Sequence, residues 1–408
     1  MDLMPILATL KRHKTAAGLI VLQVALTCAI VCNALFLISQ RVERISEPSG
    51  MADDELVLVS TTGVAPSQNP EAQTKVDIAA LRGVPGVSGV AVMNQIPFGK
   101  QYSQSGLRRT EDENTEGVGV ARYSASEDTV KVLGLRLVEG RDFDAGEYVD
   151  AATFGETQDA RLPGILINQA LAKRMFPGES PLGKKLWGVA GGNGGTPVIG
   201  VVEKFVSPQP GQGANSDSEY TMLMPVRESF RSGGYVLRVD PARRDQILKE
   251  AVAALDRAGP GRILRENQSL ADMRAKYYAE DRNMVGLLVG VCVALLLVTA
   301  FGIVGLASFW VQQRTRMIGT RRALGATAGQ IRRYFQTENF LLTSAGLILG
   351  MGAAYGISLL LMKNYELPRL PLMYLPVGCL ALWLLGQLAV LSPARRAAAL
   401  PPVAALRS

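Results

Sequence analysis

The stretch NMVGLLVGVCVALLLVTAFGIVGLASFWVQQ, residues 283–313, carries no charged side chain and is dominated by aliphatic residues. Because a helix needs roughly 20 consecutive apolar residues to cross a bilayer, this stretch predicts a transmembrane helix. Three further uncharged apolar stretches occupy residues 15–40, 339–362 and 370–394. We therefore expect four spanning helices near residues 17–39, 285–310, 339–362 and 374–391, one before and three after a long polar segment.

The first apolar stretch has to be distinguished from a cleavable signal peptide. Its apolar core is longer than the roughly 7–15 residues of a signal-peptide core. It continues into the sequence LISQRVERIS, which offers no small-x-small cleavage site. We expect an uncleaved membrane anchor.

Basic residues predict the orientation of these helices. Positive side chains flank helix one, follow helix two and lie in the C-terminal tail: Lys11, Arg12, Lys14, Arg314, Arg316, Arg321, Arg322, Arg332, Arg333, Arg395, Arg396 and Arg407. Because such residues stay in the cytoplasm, both termini and the loop after helix two are expected there, and residues 41–283 outside. The net charge of +7 then reflects topology rather than a surface that binds nucleic acid.

Cysteine and histidine usage excludes several kinds of chemistry. All four cysteines (Cys28, Cys32, Cys292 and Cys379) fall in the predicted spans, so the exported segment carries no disulfide framework. Cys28 and Cys32, one helical turn apart, are interpreted as small packing residues. His13 is the single histidine, which excludes a Ser-His-Asp or Cys-His centre and a multi-histidine metal site.

The exported segment contains two β-α-β patterns that are far apart in sequence. Residues 55–100 read as strand, helix and strand, and residues 234–268 repeat that order. Such halves can form one split α/β subdomain, expected at about 51–104 and 226–268, with an inserted subdomain at about 105–225. A stalk helix is expected at about 269–284. It would continue into the second span, so that residues 269–311 form one helix.

Two patterns in the insert resemble catalytic or nucleotide-binding motifs. GESPLGKK, residues 178–185, approaches the phosphate-binding loop, but Lys185 replaces the Ser or Thr that would hold magnesium, and no strand precedes it. Asp142, Asp144 and Glu147 could form a hydrolytic carboxylate pair, which leaves a membrane-anchored enzyme as the less favoured alternative. We expect no ATP, metal or other cofactor site in this chain.

The segment RTRMIGTRRALGATAGQIRRYFQTENFLLTSAGLILG, residues 314–350, resembles the signature of MacB/FtsX-type ABC transporter permeases. INQALAKRMFPGESPLGKKL and VIGVVEKF resemble that family's periplasmic core domain, and the tail SPARRAAALPPVAALR resembles its C-terminal signature. The resemblance implies a membrane α-helical fold with four transmembrane helices in a 1+3 arrangement and a large α+β periplasmic domain of two subdomains. Residues 1–40 would hold the first helix, 41–283 the periplasmic domain and 284–408 an FtsX-like permease domain.

The family resemblance also implies a function. A separate cytoplasmic ATPase pair would bind ATP and magnesium, and the chain would transmit the resulting motion to its periplasmic domain to drive efflux. The partners would be that ATPase, a second permease chain (identical or a paralogue), and in tripartite pumps a periplasmic adaptor and an outer-membrane channel. An FtsX-like regulator of the cell envelope and a lipoprotein-release permease remain alternatives.

The loop after helix two is the candidate site of coupling to the ATPase. A short helix there could offer an apolar face from Ile318, Ala323 and Leu324 and a charged rim from Arg321 and Arg322. Gly325 would end this helix. The candidate coupling residues are Met317, Ile318, Gly319, Arg321, Arg322, Ala323, Leu324, Gly325 and Ala326.

Polar and small residues near the spans predict helix contacts. Glu338 is expected at the membrane interface beside Arg332 or Arg333. Glycines four residues apart let helices approach closely, either within the chain or between two chains. These candidate packing residues are Gly286, Gly290, Gly346, Gly350, Gly352 and Gly356.

Overall fold

The computed structural model describes residues 14–63, 69–112, 114–156, 162–189, 194–211, 219–229, 234–259, 262–365 and 371–399. The chain divides into two units, a membrane unit at residues 1–46 and 280–408 and an exported unit at residues 47–279. His13 and the basic residues Lys11, Arg12 and Arg407 lie outside the described residues.

In chain order, the helices and strands begin with α1 (Lys14–Ser46), β1 (Leu56–Gly63), α2 (Pro70–Arg82), β2 (Val87–Met93), β3 (Gln104–Leu107), β4 (Val118–Ser124), α3 (Thr129–Leu133), β5 (Leu137–Gly140), β6 (Val149–Asp150), α4 (Ala151–Glu156), β7 (Ile165–Asn168) and α5 (Gln169–Met175). They continue with β8 (Lys185–Leu186), β9 (Thr196–Val202), β10 (Thr221–Met224), β11 (Val226–Arg227), β12 (Gly234–Val239), α6 (Arg244–Ala258), β13 (Arg262–Ser269), α7 (Leu270–Tyr277), α8 (Ala279–Gln313), α9 (Thr315–Ala323), α10 (Ala328–Tyr365) and α11 (Tyr374–Ala399).

The exported unit is built on two main sheets. The first has four strands in the order β13-β1-β12-β2, so both β-α-β segments of the sequence share one sheet. Helices α2 and α6 cover it, and Leu81, Ile247 and Leu255 are buried against its valines. The second sheet has seven strands, in the order β3-β4-β10-β7-β9-β5 with β8 beside β9. Its strands β7 and β10 are buried along their whole length, as expected for a sheet covered on both faces.

The boundary predicted at residue 226 lies too early in the chain. Val226 and Arg227 pair with Val149 and Asp150 of the insert, and the four-stranded sheet resumes only at Gly234. The first helix also runs to Ser46, beyond the predicted start of the exported domain at residue 41. The apolar pattern marks only the part of the helix that lies among apolar residues, whereas the helix itself continues into polar residues as long as its backbone hydrogen bonds form.

The predicted continuous helix over residues 269–311 is wrong. Helix α7 ends at Tyr277, and the Tyr278 N–H donates to the carbonyls of Arg274 and Lys276, which closes the helix. Tyr278 is buried, with its ring 5.9 Å from that of Phe98 and 5.0 Å from that of Tyr277. Aromatic packing inside the exported unit therefore interrupts a sequence that contains no helix breaker.

Four of the described helices are long and apolar enough to span a membrane, namely α1, α8, α10 and α11, as predicted. Helix α1 is the most enclosed of them, with 61% of its most apolar window buried against 17% for α8. Polar side chains tie α1 to its neighbours. The hydroxyl oxygens of Thr27 and Thr299 lie 2.8 Å apart, and the Asn33 amide donates to the Ala354 carbonyl.

The candidate packing glycines separate into two groups. A Cβ atom at Gly346 would lie 2.8 Å from the Val24 side chain, and one at Gly350 would lie 2.6 Å from the Cys28 Cβ. These two glycines therefore let α10 approach α1 within the chain. A Cβ atom at Gly286, Gly290, Gly352 or Gly356 would meet nothing within 4 Å.

We expect Gly350→Ala to destabilise the membrane unit by about 1–3 kcal/mol, because the added methyl group would also lie 2.8 Å from the Ala25 carbonyl oxygen. Gly18→Ala, in the spanning helix α1 and also facing open space, is the control. It should be neutral or stabilising by up to about 1 kcal/mol. Thermal unfolding of both variants in detergent measures the difference, and equal melting temperatures would contradict the α1–α10 packing.

Candidate functional site

Helix α9 follows α8 after a single residue, Arg314, and its end is defined by glycine. Gly325 has φ +94°, a conformation that favours glycine. The N–H of Gly325 donates to the Arg322 carbonyl, and the N–H of Ala326 donates to the Arg321 carbonyl. These two bonds form a Schellman motif, so α9 stops where the sequence places Gly325. We refer to residues 314–327 as the α9 segment.

A buried ion pair anchors the start of the α9 segment. The Arg314 Nη1 atom donates to both carboxylate oxygens of Glu338 on α10, at 2.9 and 2.8 Å. Arg314 is 7% exposed and Glu338 is 1% exposed. The guanidinium also lies 5.5 Å from the centre of the Trp310 ring, at the end of α8. One side chain thus holds together α8, α9 and α10.

The partner predicted for Glu338 was wrong. Arg332 and Arg333 precede it on α10 by six and five residues, and both are exposed. Because successive residues of a helix are rotated by about 100°, neither spacing brings the two side chains onto one face, whereas spacings of three or four do. Arg314 comes from a different helix and reaches the carboxylate directly.

Two further arginines anchor the end of the α9 segment. The Arg321 guanidinium lies 4.9 Å from the centre of the Tyr334 ring on α10. The Arg322 Nη1 atom donates to the Ala398 carbonyl, 2.8 Å away in the last turn of α11. A cation at a helix C-terminus interacts favourably with the helix dipole. Both arginines are half-buried, so the predicted charged rim is largely occupied in docking α9 onto its own bundle.

The predicted apolar face of α9 divides between the interior and the surface. Ile318 is 1% exposed and packs into a cluster that consists of Val311, Ile331, Tyr334, Phe335, Ala394 and Ala397. Gly319 is buried, and Met317 and Ala326 are half-buried. Thr320, Ala323 and Gly325 are exposed, and Leu324 is 83% exposed. Leu324 thus presents the largest apolar side chain at the tip of the segment.

Sequence reasoning missed two aromatic residues that support the segment. Trp310 and Tyr334 are buried, and each contacts an arginine of the α9 segment. The sequence did contain a signal for the Arg314–Glu338 pair, because these two charged residues border the apolar stretches at residues 283–313 and 339–362. Two charges at neighbouring span ends can satisfy each other when both are drawn into the bundle.

The acidic residues of the insert form a capped turn. The Asp144 side chain and the Glu147 side chain complete a capping box, and Arg141 donates to both Glu147 oxygens, at 2.7 and 2.6 Å. The hydrogen bond from Arg141 holds the pKa of Glu147 below its ordinary value, while burial raises the pKa of Asp142. These contacts give the carboxylates a structural role.

The near-motif at residues 178–185 also has a local role. Lys184 pairs with Glu179 and lies 5.2 Å from the centre of the Phe176 ring. Helix α5 precedes the turn, where a phosphate-binding loop would require a strand. Among the described residues, no group of three His, Cys, Asp or Glu side chains could hold a metal ion.

Two family models match the chain. The MacB-like periplasmic core domain covers residues 18–255, and the FtsX-like permease C-terminal domain covers residues 289–402. The ABC transporter permease YknZ of Bacillus subtilis is 27% identical over 349 residues, which are 82% of this chain and 79% of YknZ. The extracellular domain of YknZ, a solved structure, has 18% identity and a TM-score of 0.32, and the match covers 52% of this chain and 100% of that domain.

Longer relatives combine two activities in their names. The macrolide export ATP-binding/permease protein MacB of Rhodospirillum rubrum is 30% identical over 368 residues, which are 86% of this chain and 51% of MacB. The pyoverdine export ATP-binding/permease protein PvdT of Pseudomonas putida is 30% identical over 282 residues, 64% of this chain and 40% of PvdT. The chain thus spans about half of the length of this MacB and 40% of the length of PvdT.

Proposed function

Since the chain belongs to the family of MacB-like ABC transporter permeases with an FtsX-like domain, we propose that it transmits work from a separate cytoplasmic ATPase to its periplasmic domain. It is a multi-pass inner-membrane protein with a periplasmic domain. ATP and magnesium bind to the partner ATPase, and the permease moves in response. The transported molecule is a periplasmic substrate that is driven out of the cell, with an adaptor and an outer-membrane channel where the envelope has two membranes.

The exposed tip of the α9 segment is the observation that carries this proposal. The segment is fixed to α10 by Arg314 and Arg321 and to α11 by Arg322, so a force applied to its tip reaches both spans. Leu324 at the tip is 83% exposed, as expected of an anchor that fills a pocket on a partner. A rigid helix with one protruding apolar side chain is suited to a cleft on an ATPase.

A second permease chain would complete the membrane part. Gly286 and Gly290 on α8 and Gly352 and Gly356 on α10 lie on open faces where a Cβ atom would contact nothing. The α8 face also exposes large apolar side chains such as Leu287, Val298 and Phe301. Small residues beside apolar ones suit close packing against another helix in the bilayer.

Cysteine accessibility tests both the orientation and the contact with the ATPase. We expect Ser180→Cys, in the exported unit, to react with an impermeant maleimide in cells whose outer membrane has been opened. Ala323→Cys, in α9, should react only after the inner membrane is opened, because the basic residues of this loop keep it cytoplasmic. Both native side chains are exposed, and the unsubstituted chain gives the background from the four native cysteines.

Coexpression with the ATPase provides the second measurement on the same variants. Labelling of Ala323→Cys in opened membranes should fall several-fold when the ATPase is present, while labelling of Ser180→Cys stays constant. Reaction of Ala323→Cys from outside would overturn the orientation. Equal labelling with and without the ATPase would contradict the proposed contact.

A further inference from the structure

A cleft of about 700 Å³ opens in the exported unit beside the edge of the four-stranded sheet. It is bounded by β13, which is one of the two edge strands, by α7, and by the loop that follows β2. Gln209, from the segment that follows β9 of the seven-stranded sheet, also lines it. The cleft thus touches both subdomains of the exported unit, and none of the residues considered above for coupling or helix packing lies in it.

Positive charge converges on this cleft. Lys100, Arg265 and Lys276 line it, and none of the described lining residues is acidic. Elsewhere in the exported unit several arginines lie against carboxylates, as in the pairs of Arg274 with Asp53 and Arg238 with Glu55. Lys276 instead donates to the neutral amide oxygen of Gln268. A concave surface lined by cations concentrates anions.

The cleft also has an apolar wall, which includes a strained aromatic residue. Phe98, Met273 and Tyr277 line it. Phe98 has φ +64°, a left-handed conformation that is a genuine outlier for a bulky side chain. Its ring is held 5.7 Å from the ring of Tyr277 and 5.9 Å from the Arg274 guanidinium. Backbone strain of this kind concentrates at active sites and ligand-binding sites.

An unsatisfied amide completes the lining. Asn267 is aligned with Val59 of β1 in the four-stranded sheet, and its side chain lines the cleft. Its Oδ1 atom is buried and has no hydrogen-bond partner among the described residues. Buried polar atoms are nearly always paired, so an orphan beside a cleft calls for a donor from outside the chain.

We propose that this cleft binds an amphipathic anion: a carboxylate, sulfonate or phosphate on a flat apolar body that also carries a hydrogen-bond donor. The anionic group lies among Lys100, Arg265 and Lys276, the body packs on Phe98 and Tyr277, and the donor reaches Asn267. Such a ligand would contact both subdomains at once. The site belongs to the exported unit alone and does not depend on coupling to the ATPase.

Three small probes distinguish the contributions of the anionic group and of the apolar body to binding. 1-Anilinonaphthalene-8-sulfonate has the anion, the aryl body and an N–H donor. N-Phenyl-1-naphthylamine lacks only the sulfonate, and inorganic phosphate lacks the body. With the full chain in nanodiscs of zwitterionic lipid, and empty nanodiscs as the blank, we expect the sulfonate to give a saturable increase in fluorescence that depends on the protein. The neutral probe should bind at least tenfold more weakly, and phosphate should compete only at much higher concentration.

A charge-matched pair of variants locates the binding. Arg265→Gln with Lys276→Gln removes two exposed cations from the cleft, and Lys173→Gln with Arg174→Gln removes two exposed cations from α5. The first double variant should bind the sulfonate at least tenfold more weakly, and the second within twofold of the parent. Equal binding by both double variants, or equal affinity for the charged and neutral probes, would overturn the proposal.

A competitor distinguishes two natural sources of such an anion. Displacement of the sulfonate by dihexanoylphosphatidylglycerol, but not by dihexanoylphosphatidylcholine, supports an anionic lipid headgroup. Failure of both lipids to displace it supports a soluble aryl anion. Displacement by both lipids to the same extent would overturn the requirement for negative charge.

Discussion

Glu338→Ala is expected to destabilise the membrane unit by about 3–5 kcal/mol, the cost of leaving a buried charge without its partner. Arg314 is only 7% exposed, and its Nη1 atom donates to both Glu338 oxygens. Removal of the carboxylate leaves the guanidinium enclosed beside Trp310 with no counter-charge. Arg314→Ala should have an effect of similar size, because it leaves the buried Glu338 carboxylate without its partner.

A double variant separates the loss of the pair from the loss of packing. Arg314→Met with Glu338→Leu removes both charges and keeps apolar volume, so its stability should lie well above that of either single variant. Arg333→Ala, an exposed arginine on the same helix, is the control and should change stability by less than about 0.5 kcal/mol. Unfolding in mixed micelles with increasing dodecyl sulfate measures all four. Single variants as stable as the control would show that the pair is not buried.

Leu324→Asp is expected to weaken association with the ATPase at least tenfold, which corresponds to about 1.4 kcal/mol or more. An apolar anchor in a partner pocket often contributes 2 kcal/mol or more, and a buried aspartate in its place carries an uncompensated charge. Because Leu324 is 83% exposed in the permease itself, the substitution should leave the folding of the bundle unchanged. The measurement is the affinity of the nanodisc-embedded chain for the purified ATPase.

Conservative and intermediate variants sharpen this test. Leu324→Met keeps apolar volume and should retain affinity within threefold, while Leu324→Ala should be intermediate. Charge reversal at Arg321 and Arg322 is less informative, because it would also detach α9 from Tyr334 and from the Ala398 carbonyl. If Leu324→Asp binds the ATPase as the parent chain does, the tip of α9 is not the point of contact.

Local chemistry made the spans and the end of α9 predictable. Uninterrupted apolar runs define spanning helices because lipid offers no partner for backbone groups, and Gly325 accepts the left-handed turn that ends α9. The side on which a residue lies was not predictable in the same way. Ile318 and Leu324 are both aliphatic and close in sequence, yet one is buried under Tyr334 and Phe335 while the other faces outward.

Contacts between distant parts of the chain account for the remaining differences. The Arg314–Glu338 pair joins the junction of α8 and α9 to α10, and no pattern within a single helix specifies it. The break at Tyr278 depends on the position of the Phe98 ring, and the cleft depends on Lys100 and Arg265, which are far apart in sequence. The periodicity of a sequence indicates which face of a single helix or strand is buried, whereas these features depend on how several helices and strands are arranged.

The enclosure of α1 has a consequence for biosynthesis. Gln23 donates to the Val298 carbonyl on α8, and Asn33 donates to the Ala354 carbonyl on α10. Helix α1 is translated before the exported unit, whereas α8 and α10 are translated after it. During that interval both amides lack their interhelical partners in an environment where unpaired polar groups are costly. The nascent first span therefore has to be sheltered, by the translocation machinery or at the lipid headgroups, until the C-terminal spans arrive and complete its packing.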